Sequence, residues 1–471
     1  MHHIEQIYIN GEFVTPHGTE RFDLFNPATA RVMGQVRLAD AVDAERAIAA
    51  AKAAFPAWSQ THKQERIAAL QRMQAAVAAR HDDLLQAVIE EYGAPASRSA
   101  WMASYPAEAI GQAIAALEAF EFVMTAGAAR VEMTPLGVAG LITPWNSDAG
   151  FICGKLAAAL AAGCTAVIKP SEISALQTQI VTEALHAADL PPGVFNIVTG
   201  RGDTVGETIS RHPLVAKISF TGSTQTGKAI LRNAAENFTR VTLELGGKSP
   251  TLILDDADIK QAVPLAVQAG LMNSGQACVA GTRILVPQSR KAEFEQALAQ
   301  AIAAVKSGDP RDSATGVGPM VSEKQWQRVQ GYIRKGLEEG ARLLAGGEGR
   351  PEGTRDGWFV RPTLFTDVHN QMTIARDEIF GPVLCVIAYR DEAEAIAIAN
   401  DTDYGLSALV LGGDVARARR VAAQIQSGRV LVNTLAHEPK APFGGFKHSG
   451  VGREMGTWGI SAFMEPKSIL G

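Results

Sequence analysis

The chain predicts an α/β fold, two α/β domains with a small β element beside them, and three observations carry that prediction. Five short apolar runs between residues 138 and 245 alternate with helical stretches, the spacing of βαβ units and a parallel sheet. Each run ends in a polar or glycine-rich cluster, Pro-Trp-Asn146, Lys169-Pro-Ser-Glu172, Thr199-Gly-Arg-Gly, Phe220-Thr-Gly-Ser-Thr and Glu244-Leu-Gly-Gly, and the carboxyl ends of parallel strands are where ligands sit. The alternation resumes at Thr251, and 471 residues exceed one ordinary domain.

Near the N-terminus, Tyr8-Ile-Asn-Gly-Glu-Phe-Val places two alternating pieces around an Asn-Gly turn, a hairpin signal. Asp40, with Asp43 in the first turn, starts an alanine-rich helix reaching Trp58. Thr61 with Gln64 resembles a capping box for a second helix, whose Ile67, Leu70, Met73, Val77, Leu84 and Val88 keep one apolar face until Gly93. A third amphipathic helix is expected over residues 98–124, and all three read as scaffold. Strands are expected next at 138–142, 165–169, 194–198, 216–220 and 240–245, with a helix at 175–188. In the second half, strands are expected at 251–254, 283–286, 357–364, 383–389, 407–411 and 429–432. Helices are expected there at 258–272, 290–305, 323–339, 392–400 and 415–425. Residues 121–134 and 461–469 have strand texture without a nearby partner; an exposed edge is a liability, so pairing with another subunit is expected of them.

Composition narrows the function. Apolar residues make up 46% and charged ones 20%, which excludes a disordered chain. The net charge of -5, with both signs interspersed, recommends neither a nucleic acid nor an anionic membrane as partner. The most membrane-like segment, residues 151–168, carries Lys155 and reads as a buried helix running into a buried strand. Cys153, Cys164, Cys278 and Cys385 show no regular spacing, so no disulfide framework and no metal site is indicated. The start, Met-His-His-Ile-Glu-Gln, lacks the pattern of a secretory signal, and a reducing cytoplasm is the expected home.

The candidate chemistry lies in one stretch. Glu244 ends the run Arg240-Val-Thr-Leu-Glu-Leu just before two glycines, which puts an acid at a strand tip. Cys278 sits in the small-residue turn Asn273-Ser-Gly-Gln-Ala-Cys278, where backbone amides can face whatever the sulfur attacks. A lone cysteine is ordinarily a small buried hydrophobe, so the pair means little without its surroundings. Gly200-Arg-Gly-Asp-Thr-Val-Gly is one residue too long for a dinucleotide fingerprint. Ser223 is better placed: it follows a strand and opens a helix, where its hydroxyl and free amides can hold a pyrophosphate or simply cap the helix.

Glu244-Leu-Gly-Gly-Lys and Gly-Gln-Ala-Cys278 resemble the two active-site signatures of the aldehyde dehydrogenase superfamily. The resemblance recurs in Thr143-Pro-Trp-Asn146, Lys169-Pro-Ser-Glu172, Phe220-Thr-Gly-Ser-Thr, Glu378-Ile-Phe-Gly-Pro382 and Pro442-Phe-Gly-Gly-Phe-Lys447-His-Ser-Gly450, in the family's order over nearly the whole chain. It implies NAD-dependent oxidation of an aldehyde to the carboxylic acid through a cysteine thiohemiacetal and thioester. Cys278 would be the nucleophile, Asn146 with the Cys278 N–H the oxyanion hole, and Glu244 the base for the hydrolytic water. Thr143, Trp145, Lys169, Glu172, Ser223, Glu378 and Phe380 match the family's cofactor contacts. Glu172 favours NAD over NADP, since a carboxylate at the ribose repels a 2′-phosphate. The resemblance also implies a Rossmann-like cofactor domain over residues 1–118 and 138–246, a catalytic domain over 247–445, and oligomerisation segments at 119–137 and 458–471 in a homodimer or homotetramer.

Around the substrate the sequence departs from the family. Ser147, Asp148, Ala149 and Gly150 stand where an aromatic and often a proline follow Asn146, and Gly154 stands where an aromatic often lines the tunnel. Asp148 reads either as a helix cap or as polarity on the substrate wall, and residues 435–440 as the opposite wall. A coenzyme A-acylating semialdehyde dehydrogenase and a catalytically idle relative are the rival readings; Glu244 counts against the first, and Cys278, Asn146 and Glu244 together against the second.

Overall fold

A computed structural model describes all residues, Met1–Gly471. An eight-stranded sheet holds the first half, in the order Gly450–Val451, Arg240–Glu244, Val215–Thr221, Val138–Ile142, Thr165–Lys169, Phe195–Ile197, Ile7–Ile9 and Glu12–Val14. Its five central strands are parallel, and Val138–Ile142 and Thr165–Lys169 are buried at every position, which is why they read as unbroken apolar runs. The strand order reverses direction between Val138–Ile142 and Val215–Thr221. Such a reversal opens a crevice at the carboxyl ends, between Thr143-Pro-Trp-Asn146 and Thr221-Gly-Ser223.

A second, seven-stranded sheet runs Arg342–Ala345, Thr363–Thr366, Val383–Tyr389, Arg283–Pro287, Pro250–Ile253, Ser407–Leu411 and Arg429–Val432, parallel except for its first pair. The helix Asp148–Ala162 packs Ile152, Leu156 and Leu160, all fully buried, in the first half's core. Truncating such a leucine to alanine costs about 2–5 kcal/mol. The helix stops at Gly163, whose φ of +91° suits glycine and where a Cβ would stand 2.7 Å from the Arg66 guanidinium. No helix is long and apolar enough to cross a membrane.

Local differences from the sequence reading have identifiable causes. Asp40 caps its helix as expected, and Asp43 completes a capping box with it; the box expected at Thr61 and Gln64 sits a residue later, where Glu65 accepts from the His62 N–H at 2.6 Å, while Thr61 donates to the Trp58 carbonyl. The third helix runs Ala96–Ala119, because Phe120 turns extended and Val123–Ala126 is a strand. Of the strand expected over 357–364 only Thr363–Thr366 forms; Trp358 instead bonds the backbone of Pro27 and Met320. The two unattached pieces find each other: Met464–Ile469 and Val123–Ala126 flank Ala129–Pro135 in an antiparallel sheet within one chain. Their pairing is therefore intramolecular, and both outer edges of that sheet stay open.

Candidate active site

The cysteine turn is built under strain and pinned from all sides. Asn273, Ser274 and Gly275 are all left-handed, with φ of 55°, 59° and 75°, and left-handed non-glycine residues cost about 1–3 kcal/mol each. Asn273 Nδ2 donates to the Asn146 carbonyl at 3.0 Å, and Ser274 Oγ accepts from the Gly318 N–H at 2.9 Å. Gln276, fully buried, donates to Tyr92 Oη and accepts from the Val321 N–H. At Gly275 a Cβ would lie 2.2 Å from the Gly381 carbonyl carbon, so only glycine fits. The turn presents Cys278 half-buried on a cavity of 510 Å³, whereas the other three cysteines are fully buried. Asn146 lines the same cavity, one amide hydrogen held by the Gln276 carbonyl at 3.0 Å and the other free.

Glu244 ends its strand 3% exposed, and neither carboxyl oxygen has a hydrogen-bond partner. Burial pushes its pKa well above the ordinary carboxylate value; the Glu454 charge adds to this, and Lys155 and Arg453 oppose it. Glu454 itself is tied to Lys155 Nζ at 2.5 Å and to Ser219 Oγ at 2.9 Å. Burial, then Glu378 and Glu244, push the Cys278 thiol up to about 12, with Arg429 opposing. A glycine joins acid and thiol: at Gly247 a Cβ would stand 2.4 Å from the Cys278 carbonyl oxygen. The Gly247 N–H also donates to Glu378 Oε1 at 3.1 Å, and burial raises Glu378 to about 7.

The other residues marked by the sequence ring the crevice. Lys169 Nζ lies 3.3 Å from Glu172 Oε2, and Glu172 Oε1 lies 3.4 Å from Arg201 Nη1. Arg201 carries no signal of its own in the sequence; it stands in the over-long glycine loop that starts at Gly200. Ser223 caps the helix Thr224–Ala235, accepting from the Thr226 N–H at 3.2 Å, with its side chain exposed. Trp145 meets Phe380 edge-on at 5.4 Å, and Phe380 holds a left-handed φ of 62°. The Thr143 hydroxyl turns inward and donates to Asp148 at 3.0 Å.

The substrate wall differs from the sequence reading. Asp148 is neither cap nor wall: it is fully buried, accepts from Thr143 and Thr178, and burial raises it to about 7. Gly154 borders a smaller pocket beside Tyr105 and Lys155. Leu435, His437 and Pro439 do line the main cavity. The helix Ala96–Ala119, expected from the sequence as scaffold, also lines the cavity, through Arg98, Trp101 and Tyr105. Their i, i+3, i+7 spacing marks one helix face, a signal equally typical of core packing.

A sheet with a crevice at its reversal, opening onto a thiol carried by a second α/β sheet, is the architecture of a dehydrogenase that works through cysteine. Comparison with known proteins narrows that class. The sequence profile of the aldehyde dehydrogenase family matches residues 13–469. A 3-succinoylsemialdehyde-pyridine dehydrogenase of a Pseudomonas species is 44% identical over 474 residues, spanning 100% of this chain and 99% of that one. Aldehyde dehydrogenase C of Pseudomonas syringae, a cysteine-to-alanine variant complexed with NAD+ and octanal, matches with TM-score 0.97 at 44% identity, over 99% of this chain and 96% of that one. A Mycobacterium tuberculosis aldehyde dehydrogenase complexed with NAD+ matches with TM-score 0.96 at 40% identity, over 100% and 98%. The chain belongs to the aldehyde dehydrogenase family.

Proposed function

We propose that the protein oxidises an aldehyde to the carboxylic acid with NAD, using Cys278, Asn146 and Glu244. The observation that carries this reading is Glu244: a buried carboxyl with both oxygens unpartnered, on the same cavity as the thiol and the free amide hydrogen. Cys278 sulfur bonds the aldehyde carbon, and the oxyanion accepts from Asn146 Nδ2–H and the Cys278 N–H. NAD, when bound, supplies the hydride acceptor. Cys278 then carries the acyl group as a thioester, and Glu244 takes a proton from the water that hydrolyses it.

The crevice fits a dinucleotide. Lys169 and Glu172 stand at one strand end and would hold the adenosine ribose. Ser223 and the first-turn amides of Thr224–Ala235 would meet the pyrophosphate. Thr143 and Trp145 at the reversal, with Glu378 and Phe380, would frame the nicotinamide end. Glu172 supports NAD over NADP, while Arg201 beside it leaves NADP the weaker second cofactor. Four unpaired cysteines support a reducing cytoplasm. The open edges of the three-stranded sheet support a homodimer or homotetramer through residues 119–137 and 458–471, with 1–118 and 138–246 as cofactor domain and 247–445 as catalytic domain. A panel of aldehydes with NAD, monitoring reduced cofactor and the acid formed, tests the function. Turnover that requires coenzyme A would overturn the hydrolytic reading.

A further inference from the structure

The cavity that holds Cys278 contains two guanidiniums that no carboxylate neutralises. Arg98 stands in the first turn of Ala96–Ala119; its Nε is buried without a partner. Its guanidinium lies over the Trp101 ring, 3.8 Å from the centroid, and Trp101 stacks on Tyr105 at 4.5 Å. Stacking engages the face of a guanidinium and leaves its edge, where the donors are, free for a planar anion. Arg429, which lines the same cavity from the strand Arg429–Val432, gives Nε and one Nη to Ser407 Oγ, both at 3.2 Å, and its charge acts on Cys278 at the reacting end. The acids of the cavity do not cancel these charges. Glu454 is tied to Lys155, Glu108 is exposed to solvent, and burial disfavours the charged form of Glu244. His437, on the Arg429 wall, is held towards its neutral form by burial and by Arg429. An arginine keeps its proton, and Arg98 is half-buried with its Nε cut off from water and from any protein acceptor, so an anion entering the cavity would pair with it.

We propose that, within the aldehyde oxidation proposed above, the substrate carries a carboxylate at the end remote from its aldehyde, and that Arg98 receives it. Arg98 is the better receiver because it has no hydrogen-bond partner in the protein, whereas Arg429 is anchored by Ser407.

Matched pairs test this: 4-oxobutanoate against butanal, 6-oxohexanoate against hexanal, and 9-oxononanoate against nonanal, each with NAD and the full-length enzyme. In at least one pair the carboxylate member should lead in kcat/KM by about ten- to a hundredfold, the worth of a charge-assisted pair of hydrogen bonds. Arg98→Met should remove that lead, chiefly through KM, and Arg98→Lys should keep part of it. Equal or better rates for every unsubstituted aldehyde would overturn the proposal. So would a lead that survives Arg98→Met, or one that collapses only in Arg429→Met. Should Arg98→Met fail to fold, product inhibition of the wild-type enzyme decides: succinate, adipate and azelate each binding no tighter than butanoate, hexanoate and nonanoate overturns the proposal. If no aldehyde of either kind reduces NAD, the oxidation reading falls first and this one with it.

Discussion

The two α/β sheets turn opposite ends of their strands to the cleft. The first contributes residues at or just beyond the carboxyl ends of its strands: Thr143 after Val138–Ile142, Lys169 and Glu244 at the tips of theirs. The second contributes residues at or before the amino ends of its strands. Pro250, Ser407 and Arg429 are first residues of strands, and Cys278 lies in the connection leading into Arg283–Pro287. The rule that ligands gather at carboxyl ends therefore points to the first half and says nothing about the cysteine turn in the second. In the proposed reading the strand ends of the first half hold most of the cofactor and supply Asn146 and Glu244, while an irregular turn of the second half, pinned by its neighbours, supplies the thiol.

If that division is right, the halves can be disabled separately. Cys278→Ser should abolish nearly all turnover, by roughly a thousandfold or more, because an unassisted hydroxyl is a far poorer nucleophile than a thiolate. NAD titration should find its affinity near the wild-type value; a variant keeping a tenth of the rate would remove Cys278 from the role. Glu244→Gln should slow steady-state turnover by roughly 10²- to 10⁴-fold while a burst of reduced cofactor survives rapid mixing, since the acid acts after acylation. Loss of the burst as well would place Glu244 upstream of it. The pH profile sharpens the same point. Burial raises both Glu244 and Cys278, whose basic forms do the work, so kcat/KM, which carries the thiol step, and kcat, which carries the hydrolysis, should both climb from mildly acid into alkaline solution. A flat profile across neutrality would contradict that pairing.

Gly247→Ala strikes the seam between the halves. Its Cβ would press on the Cys278 carbonyl oxygen, and overpacking of this kind costs about 1–3 kcal/mol. Thermal unfolding should report that loss, and turnover should fall roughly tenfold or more from displacement of the turn. Unchanged rates would mean that the seam yields freely. The smallest effect belongs to the first half alone: Glu172→Gln should narrow the NAD over NADP preference by about tenfold, the worth of one charge beside the ribose. Equal kcat/KM with both cofactors in the wild-type enzyme would defeat this reading of Glu172.

Legibility in the sequence divides along the same line. The strands 138–142, 165–169, 383–389 and 407–411 stand where their apolar runs put them, because a parallel strand buried on both faces must be largely apolar, and the half-buried edge strand 429–432 is found where it was expected. Residues with strong local signatures, such as the Asp40 cap, are equally readable. Long-range partnerships are not: nothing near residue 464 announces that its strand pairs with residue 135. Asp148 escapes a local reading for a related reason, since its partner Thr178 lies thirty residues on, in another helix. Glu454 and Lys155, whose charges act on Glu244 in opposite directions beside the larger effect of burial, come from separate elements and carry no common motif.

The strained turn also governs how this enzyme would age. Three consecutive left-handed residues are held by Asn146, Tyr92, Gln276 and Gly318, and none of these contacts belongs to the hydrogen-bond ladder of either sheet. A small loosening there relaxes the backbone to a commoner conformation and swings the thiol away from the amide, with both cores still assembled. Warming should therefore extinguish activity several degrees before the helices melt, and the lost activity should return on cooling.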